Sequence, residues 1–182
     1  MFRTLILASL CLVPLSVLAA DFQLHSSEIE SGKQIADKHV LVGSGCEGGN
    51  RSPELSWSGE PAGTKSFAVT MYDSDAPTGS GWWHWSVVNI PGDVHKLDSD
   101  AGRKDGSNLP AGAAQGRTDF AGPGYGGACP PPGDLAHNYH FKVWALSVDR
   151  LTIDGEMSAA QIGYMLNVNS IASAEIVPIS KR

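Results

Sequence analysis

Three short segments carry side chains able to do chemistry, and each stands where an apolar run gives way to turn-forming residues. The first, Asp73-Ser74-Asp75-Ala76-Pro77, sets two carboxyl groups at i and i+2. On an extended backbone that spacing aims both to one side, where neighbouring carboxyls resist simultaneous ionisation and either can orient an imidazole. The second, Gly81-Trp82-Trp83-His84-Trp85, leads into an apolar run. The third runs from Cys129 through a proline stretch containing Pro131 to His137 and Tyr139. Histidine offers N–H donors or a positive charge near neutral pH, and tyrosine offers a hydroxyl. Taken together, Asp73, Asp75, His84 and His137 can be read as an acid/base or metal-dependent hydrolase site. Plainer readings stand beside this one. Aspartates in turns cap backbone amides, clustered tryptophans belong to cores, and a histidine at a strand start is commonly structural.

The elements that must carry these segments read mainly as strands. Ser66–Tyr72 is β-branched and aromatic and runs into the first acidic turn, Trp83–Ile90 is stopped by Pro91-Gly92, and His140–Val148 is a third strand. Apolar residues fall on both parities of the third, which predicts a central strand covered on each face. Shorter strands are expected at His39–Val42 and Glu175–Ile179. One helix is expected behind Ser158 as N-cap, with Ile162, Met165 and Leu166 at i, i+3 and i+4. A second helical stretch is expected near Ser170–Ala174. Residues 91–132 show little periodicity and read as a long Gly-rich loop, a kind that is usually functional or disordered. The expected architecture is an antiparallel β-sandwich with a few peripheral helices.

The N-terminus sets the compartment. Arg3 precedes an uncharged apolar run from Leu5 to Leu18, and Ala19-Ala20 follow before the polar Asp21. That is the order of a secretory signal peptide, so residues 1–20 are expected to be removed and 21–182 to form one periplasmic domain. The run is shorter than the ~20 residues of a membrane span and holds Pro14; Leu10 before Cys11 lacks the small residue of a lipoprotein site. Export leaves Cys46 and Cys129, which in an oxidising compartment most simply form one disulfide. Free thiols or a bridge between chains are the rival readings.

Composition narrows the function. A formal charge of -6 argues against a nucleic-acid partner and against docking on anionic lipid by bulk charge. The 21 glycines among 182 residues, against roughly 7% in average usage, favour turns and ordered loops over a helical bundle. The chain has no Gly-x-Ser-x-Gly elbow and no His-Glu-x-x-His pair, and neither cysteine has a ligand partner at zinc spacing. No metal and no cofactor are expected.

Asp73-x-Asp75-Ala76-Pro77, Trp-His84-Trp-x-Val-Val-Asn89 and the Pro-Pro-x-Gly stretch leading to His137-x-Tyr139-x-Phe141, with Asn50-x-Ser-Pro-x-Leu-Ser-Trp57 upstream, resemble the phosphatidylethanolamine-binding protein family in its bacterial Raf-kinase-inhibitor-like branch. The resemblance spans the mature chain. It implies Greek-key connections in the sandwich, no catalytic residues, and an anion pocket for phosphate, acetate or a phosphoethanolamine head group. Position by position, it assigns that pocket to Asp73, Asp75, Ala76, Pro77, Trp82, His84, Pro131, His137 and Tyr139. Two departures stand out: Ser74 where many members carry proline, and Cys129 ahead of the prolines where others read glycine. The function implied is binding or regulation without catalysis. A protease or kinase inhibitor acting through its surface and a weak His/Asp hydrolase stay open, as do a protein partner and a homodimer.

Overall fold

The computed structural model describes residues 21–182, so the expected signal peptide at 1–20 lies outside the described residues. The strands are β1 (Gln23–His25), β2 (Val42–Gly43), β3 (Cys46–Glu47), β4 (Leu55–Ser58), β5 (Ser66–Asp73) and β6 (Trp82–Pro91). They continue with β7 (Lys96–Leu97), β8 (Ala114–Gln115), β9 (His137–Leu146), β10 (Ser170–Ile176) and β11 (Ile179–Ser180), and the helix α1 spans Ala159–Asn169. A large sheet runs β10-β9-β5-β6-β8, with β11 also on β9, and a small sheet runs β1-β4-β7. All pairings between these strands are antiparallel.

The two central strands are apolar on both parities because each face has its own cover. Phe67, Val69 and Met71 of β5 and Phe141, Val143 and Ala145 of β9 join Leu24, Leu55, Trp57 and Leu97 of the small sheet in one core. Ala68, Trp144 and Leu146, on the other parity, meet Ile162 and Leu166 of α1 in a second core. This is the arrangement expected of a central strand. Ser158 caps α1 as predicted: Gln161 N donates to Ser158 Oγ at 3.2 Å while Ser158 N donates to Gln161 Oε1 at 2.8 Å, a reciprocal capping box.

Four expectations need revision. Of the two short strands, His39–Val42 is reduced to Val42–Gly43 with His39 in a 3-10 turn, and Glu175–Ile179 is split between β10 and β11. Ser170–Ala174 is strand, not helix. Ser170 turns out of α1 with extended φ/ψ of -78° and 142°, and alternate residues then face outward and inward along β9. The expected few helices come down, among the described residues, to α1 and a 3-10 turn at Asp37–His39. The long loop 91–132 is ordered: it contains β7 and β8 and is tied to β6 by long-range backbone hydrogen bonds, from Asp119 N to Trp83 O at 3.1 Å and from Gly126 N to His84 O at 2.9 Å.

Cys46 and Cys129 form a disulfide, with Cα atoms 6.1 Å apart. It ties the β2–β3 turn to the start of the proline stretch.

Candidate functional site

Strand β5 is the common partner that gathers the three polar segments. Its last residue, Asp73, is paired with Trp82 at the start of β6 and with Tyr139 near the start of β9. Register then decides which side chains turn inward. Tyr72 faces Trp83 while Met71 faces Trp85, so His84 is the extra residue of a β-bulge. Bulges re-aim side chains, and here His84 comes to the same face as Asp73, with its Nε2 4.0 Å from Asp73 Oδ2.

Asp73, His84 and His137 are each buried, and every polar atom but one has a defined partner. Asp73 Oδ1 accepts from the backbone N–H of Asp75 at 2.9 Å and of Ala76 at 3.1 Å, closing an Asx turn. Asp73 Oδ2 accepts from His137 Nδ1 at 2.8 Å, while His137 Nε2 stands 3.4 Å from Asp134. His84 Nδ1 donates to Gly126 O at 2.8 Å, which leaves Nε2 of the neutral ring as a bare acceptor beside Asp73. Rings of Phe120 and Tyr139, each 5.2 Å from the His84 ring, hold it edge-on.

The two imidazoles titrate in opposite directions. Burial disfavours the His84 cation and lowers its pKa, and the Gly126 carbonyl and the Asp73 charge only partly oppose this. Burial also works against the His137 cation, but the hydrogen bond and charge of Asp73, joined by Asp134 and Asp75, outweigh it and raise the pKa. The carboxylates thus favour the imidazolium form of His137, while burial favours the neutral ring of His84.

These groups open on a cavity of about 190 Å³ whose lining includes Asp73, Ala76, Pro77, Trp82, His84, Pro131 and His137. Of the nine residues expected at the site, those seven meet there. The other two do not line it. The i, i+2 argument requires the strand to continue through Asp75, but β5 ends at Asp73. Asp75 instead accepts from Asn138 N at 2.7 Å and Asn138 Nδ2 at 2.9 Å. Those bonds lower its pKa and staple the acidic turn to β9. Tyr139 is fully buried behind His84, its hydroxyl without a hydrogen-bond partner among the described residues, and burial drives its pKa far above the usual phenol range.

Sequence reasoning missed Leu41, Ser44, Thr78, Phe120, Cys129 and Pro130 in the wall. Ser44 and Pro130 could have been found from the expected disulfide, since each is close to one of its cysteines. Phe120 sits in the aperiodic loop, where no pattern marks it. Among the described residues no group of three or more His, Cys, Asp or Glu is spaced to hold a metal ion.

Comparison with known proteins identifies the family. The family model described as phosphatidylethanolamine-binding protein matches residues 25–180. The UPF0098 protein YbcL of Escherichia coli K12 is 59% identical over 178 residues, 97% of each chain. The UPF0098 protein YbhB of the same strain is 47% identical over 154 residues, 85% of this chain and 96% of that one. The crystal structure of E. coli YbcL, described as a new member of the mammalian PEBP family, superposes with a TM-score of 0.88 at 61% identity, covering 90% of this chain and 99% of that one. The chain belongs to the phosphatidylethanolamine-binding protein family.

Proposed function

We propose that the protein is an exported, periplasmic binding protein, without catalytic activity of its own, whose Asp73/His84/His137 cavity takes a small phosphate-type anion such as phosphate or a phosphoethanolamine head group. The observation that carries this reading is the buried His84, which lines the cavity with its Nδ1 committed to Gly126 and only its Nε2 left for a ligand. An incoming phosphate either donates its own O–H to that nitrogen or brings a proton with it, making His84 a donor. Asp73 and the His137 imidazolium compensate each other, so the anion is not left facing an unpaired carboxylate. The ammonium of an ethanolamine head group has a carboxylate acceptor in Asp73. At about 190 Å³ the cavity is below the roughly 300–1,000 Å³ of drug-sized ligand sites, which favours a head group over a whole lipid. The apolar run at 5–18 and the disulfide support export.

Calorimetric titration tests the reading. Phosphoethanolamine is the ligand, with dimethyl phosphate as a probe whose charge stays constant between pH 5 and 8. Affinity for dimethyl phosphate should rise by about tenfold per pH unit lost while His84 must gain a proton to bind it. His84→Ala should abolish both the binding and its pH dependence. Affinity that is flat across this range, or unchanged by His84→Ala, ends the proposal.

A further inference from the structure

The large sheet has a second concave surface, on the side covered by α1. The helix packs over Ala68, Trp144 and Leu146 but leaves the neighbouring rows open, and a cleft of about 370 Å³ remains there. That volume is within the range of small-ligand sites and about twice that of the Asp73 cavity. The two lie on opposite faces, because Tyr72, His140, Lys142 and Trp144 have the opposite strand parity to Asp73 and Tyr139.

The make-up of the cleft narrows its ligand. Three aromatic side chains, Tyr72, Trp83 and Trp144, line it. The rings of Tyr72 and Trp83 stand 4.7 Å apart at 50°. Trp144 is held by a hydrogen bond from its Nε1 to Thr70 Oγ1 at 3.0 Å. Trp83 packs against α1 at Gly163, where a Cβ would come within 2.9 Å of the indole. The remaining lining side chains, Thr70, Ser74, His140, Lys142 and Asn167, are all polar, and none is aliphatic. An acyl chain or an apolar peptide helix needs aliphatic walls, so neither fits. Charge excludes a second class. Lys142 Nζ is 3.5 Å and His140 Nδ1 3.4 Å from the same oxygen of Glu175, so an anion meets Glu175 and a cation meets Lys142. Hydrogen-bonding capacity remains, however: Asn167 donates to Gly163 O at 2.8 Å through Nδ2 and keeps its amide oxygen, and the Lys142 ammonium has three donors.

We propose that this cleft is a second ligand site and that its ligand is an uncharged oligosaccharide. A pyranose has an apolar C–H face to lay on Trp83 and Tyr72 and a hydroxylated edge to meet Lys142 and Asn167, while Trp144, buried and with the Lys142 ammonium 5.1 Å from its ring centroid, forms the floor. The rigid rings supply contact area at little entropic cost. This inference is independent of the anion site.

The test is an indole N–H NMR titration of the full exported protein with maltotetraose, chitotetraose and laminaritetraose, each to millimolar concentration. At least one should move the Trp83 and Trp144 indole signals in a saturable way, and saturating phosphoethanolamine should not displace it. Trp83→Ala should weaken that affinity about tenfold and Asn167→Ala about fivefold. Should Trp83→Ala fail to fold, Asn167→Ala together with Lys142→Met decides, since Asn167 is exposed and Lys142 half-buried. No saturable shift with any of the three sugars overturns the proposal. So does binding that the folded variants leave unchanged.

Discussion

Replacing Asp73 by asparagine is the sharpest perturbation of the front site, because the shape is kept and one charge is removed. The new amide oxygen can still accept from Asp75 N and Ala76 N, as Oδ1 does now at 2.9 and 3.1 Å. Its NH2 would then face His137 Nδ1, which donates to Oδ2 at 2.8 Å in the native protein. Two donors cannot share that contact, so His137 must shift its proton to Nε2, toward Asp134 at 3.4 Å. The variant loses a charge-assisted bond worth about 1.5–3 kcal/mol. For a domain of this size that is a Tm lower by roughly 3–12 °C. The loss should depend on pH in a definite direction. His137 has a raised folded pKa, so its contribution is complete below the ordinary 6.5 and is lost as pH rises through the folded value. In Asp73→Asn only burial and Asp134 and Asp75 remain to act on the ring, and burial pulls the pKa down. The stability gap between native and variant should therefore be wider at pH 5.5 than at pH 9. Urea unfolding at those two pH values measures the gap, and an NMR titration of the His137 Cε1–H signal measures the pKa. A gap equal at both pH values, or a His137 pKa unmoved by the substitution, refutes the argument.

Two further outcomes follow from the geometry. The Cys46–Cys129 bridge, 83 positions apart in the chain, should contribute about 4 kcal/mol by restricting the unfolded state. Cys46→Ser/Cys129→Ser, or native protein under reductant, should show a lowered urea midpoint, and an unchanged one counts against that role. Glu28 is lowered from 4.5 to about 2: burial acts upward but is outweighed by Lys38, the Glu54 backbone N–H and Ser99. Its stabilising effect is thus present above 4.5 and lost as pH falls through about 2. Glu28→Gln should cost ~2 kcal/mol at pH 6, with the difference from native narrowing below pH 4.5 and closing only as pH falls past about 2; a gap that does not narrow between pH 6 and pH 2 refutes the assignment.

Much of the site was readable from residue type alone. A histidine beside tryptophans at a strand start, an acid ending a strand and a proline-rich approach to a second histidine are local signals, and Asp73, His84 and His137 meet as those signals suggest. The parity argument failed at Asp75 for a local reason: the Asp73 side chain captures the backbone amides of Asp75 and Ala76, and the strand ends two residues early. Tyr139 was expected to donate to a ligand. Its place in β9 opposite Asp73 instead buries it behind His84.

The strand at Ser170–Ile176 shows the same limit from the other side. Small residues after a helix are compatible with more helix, and only the free edge of β9 made pairing the better outcome. Composition and periodicity settled the β-rich class, the two-faced central strands and the Ser158 cap, since these depend on neighbours within a few residues. The bulge at His84, the opposed titration of two imidazoles and the closing of the rim by residues 44 and 120 were decided by tertiary structure. Each depends on burial and on partners tens of residues away, whose effect on a charge or a register exists only once the sheet has formed.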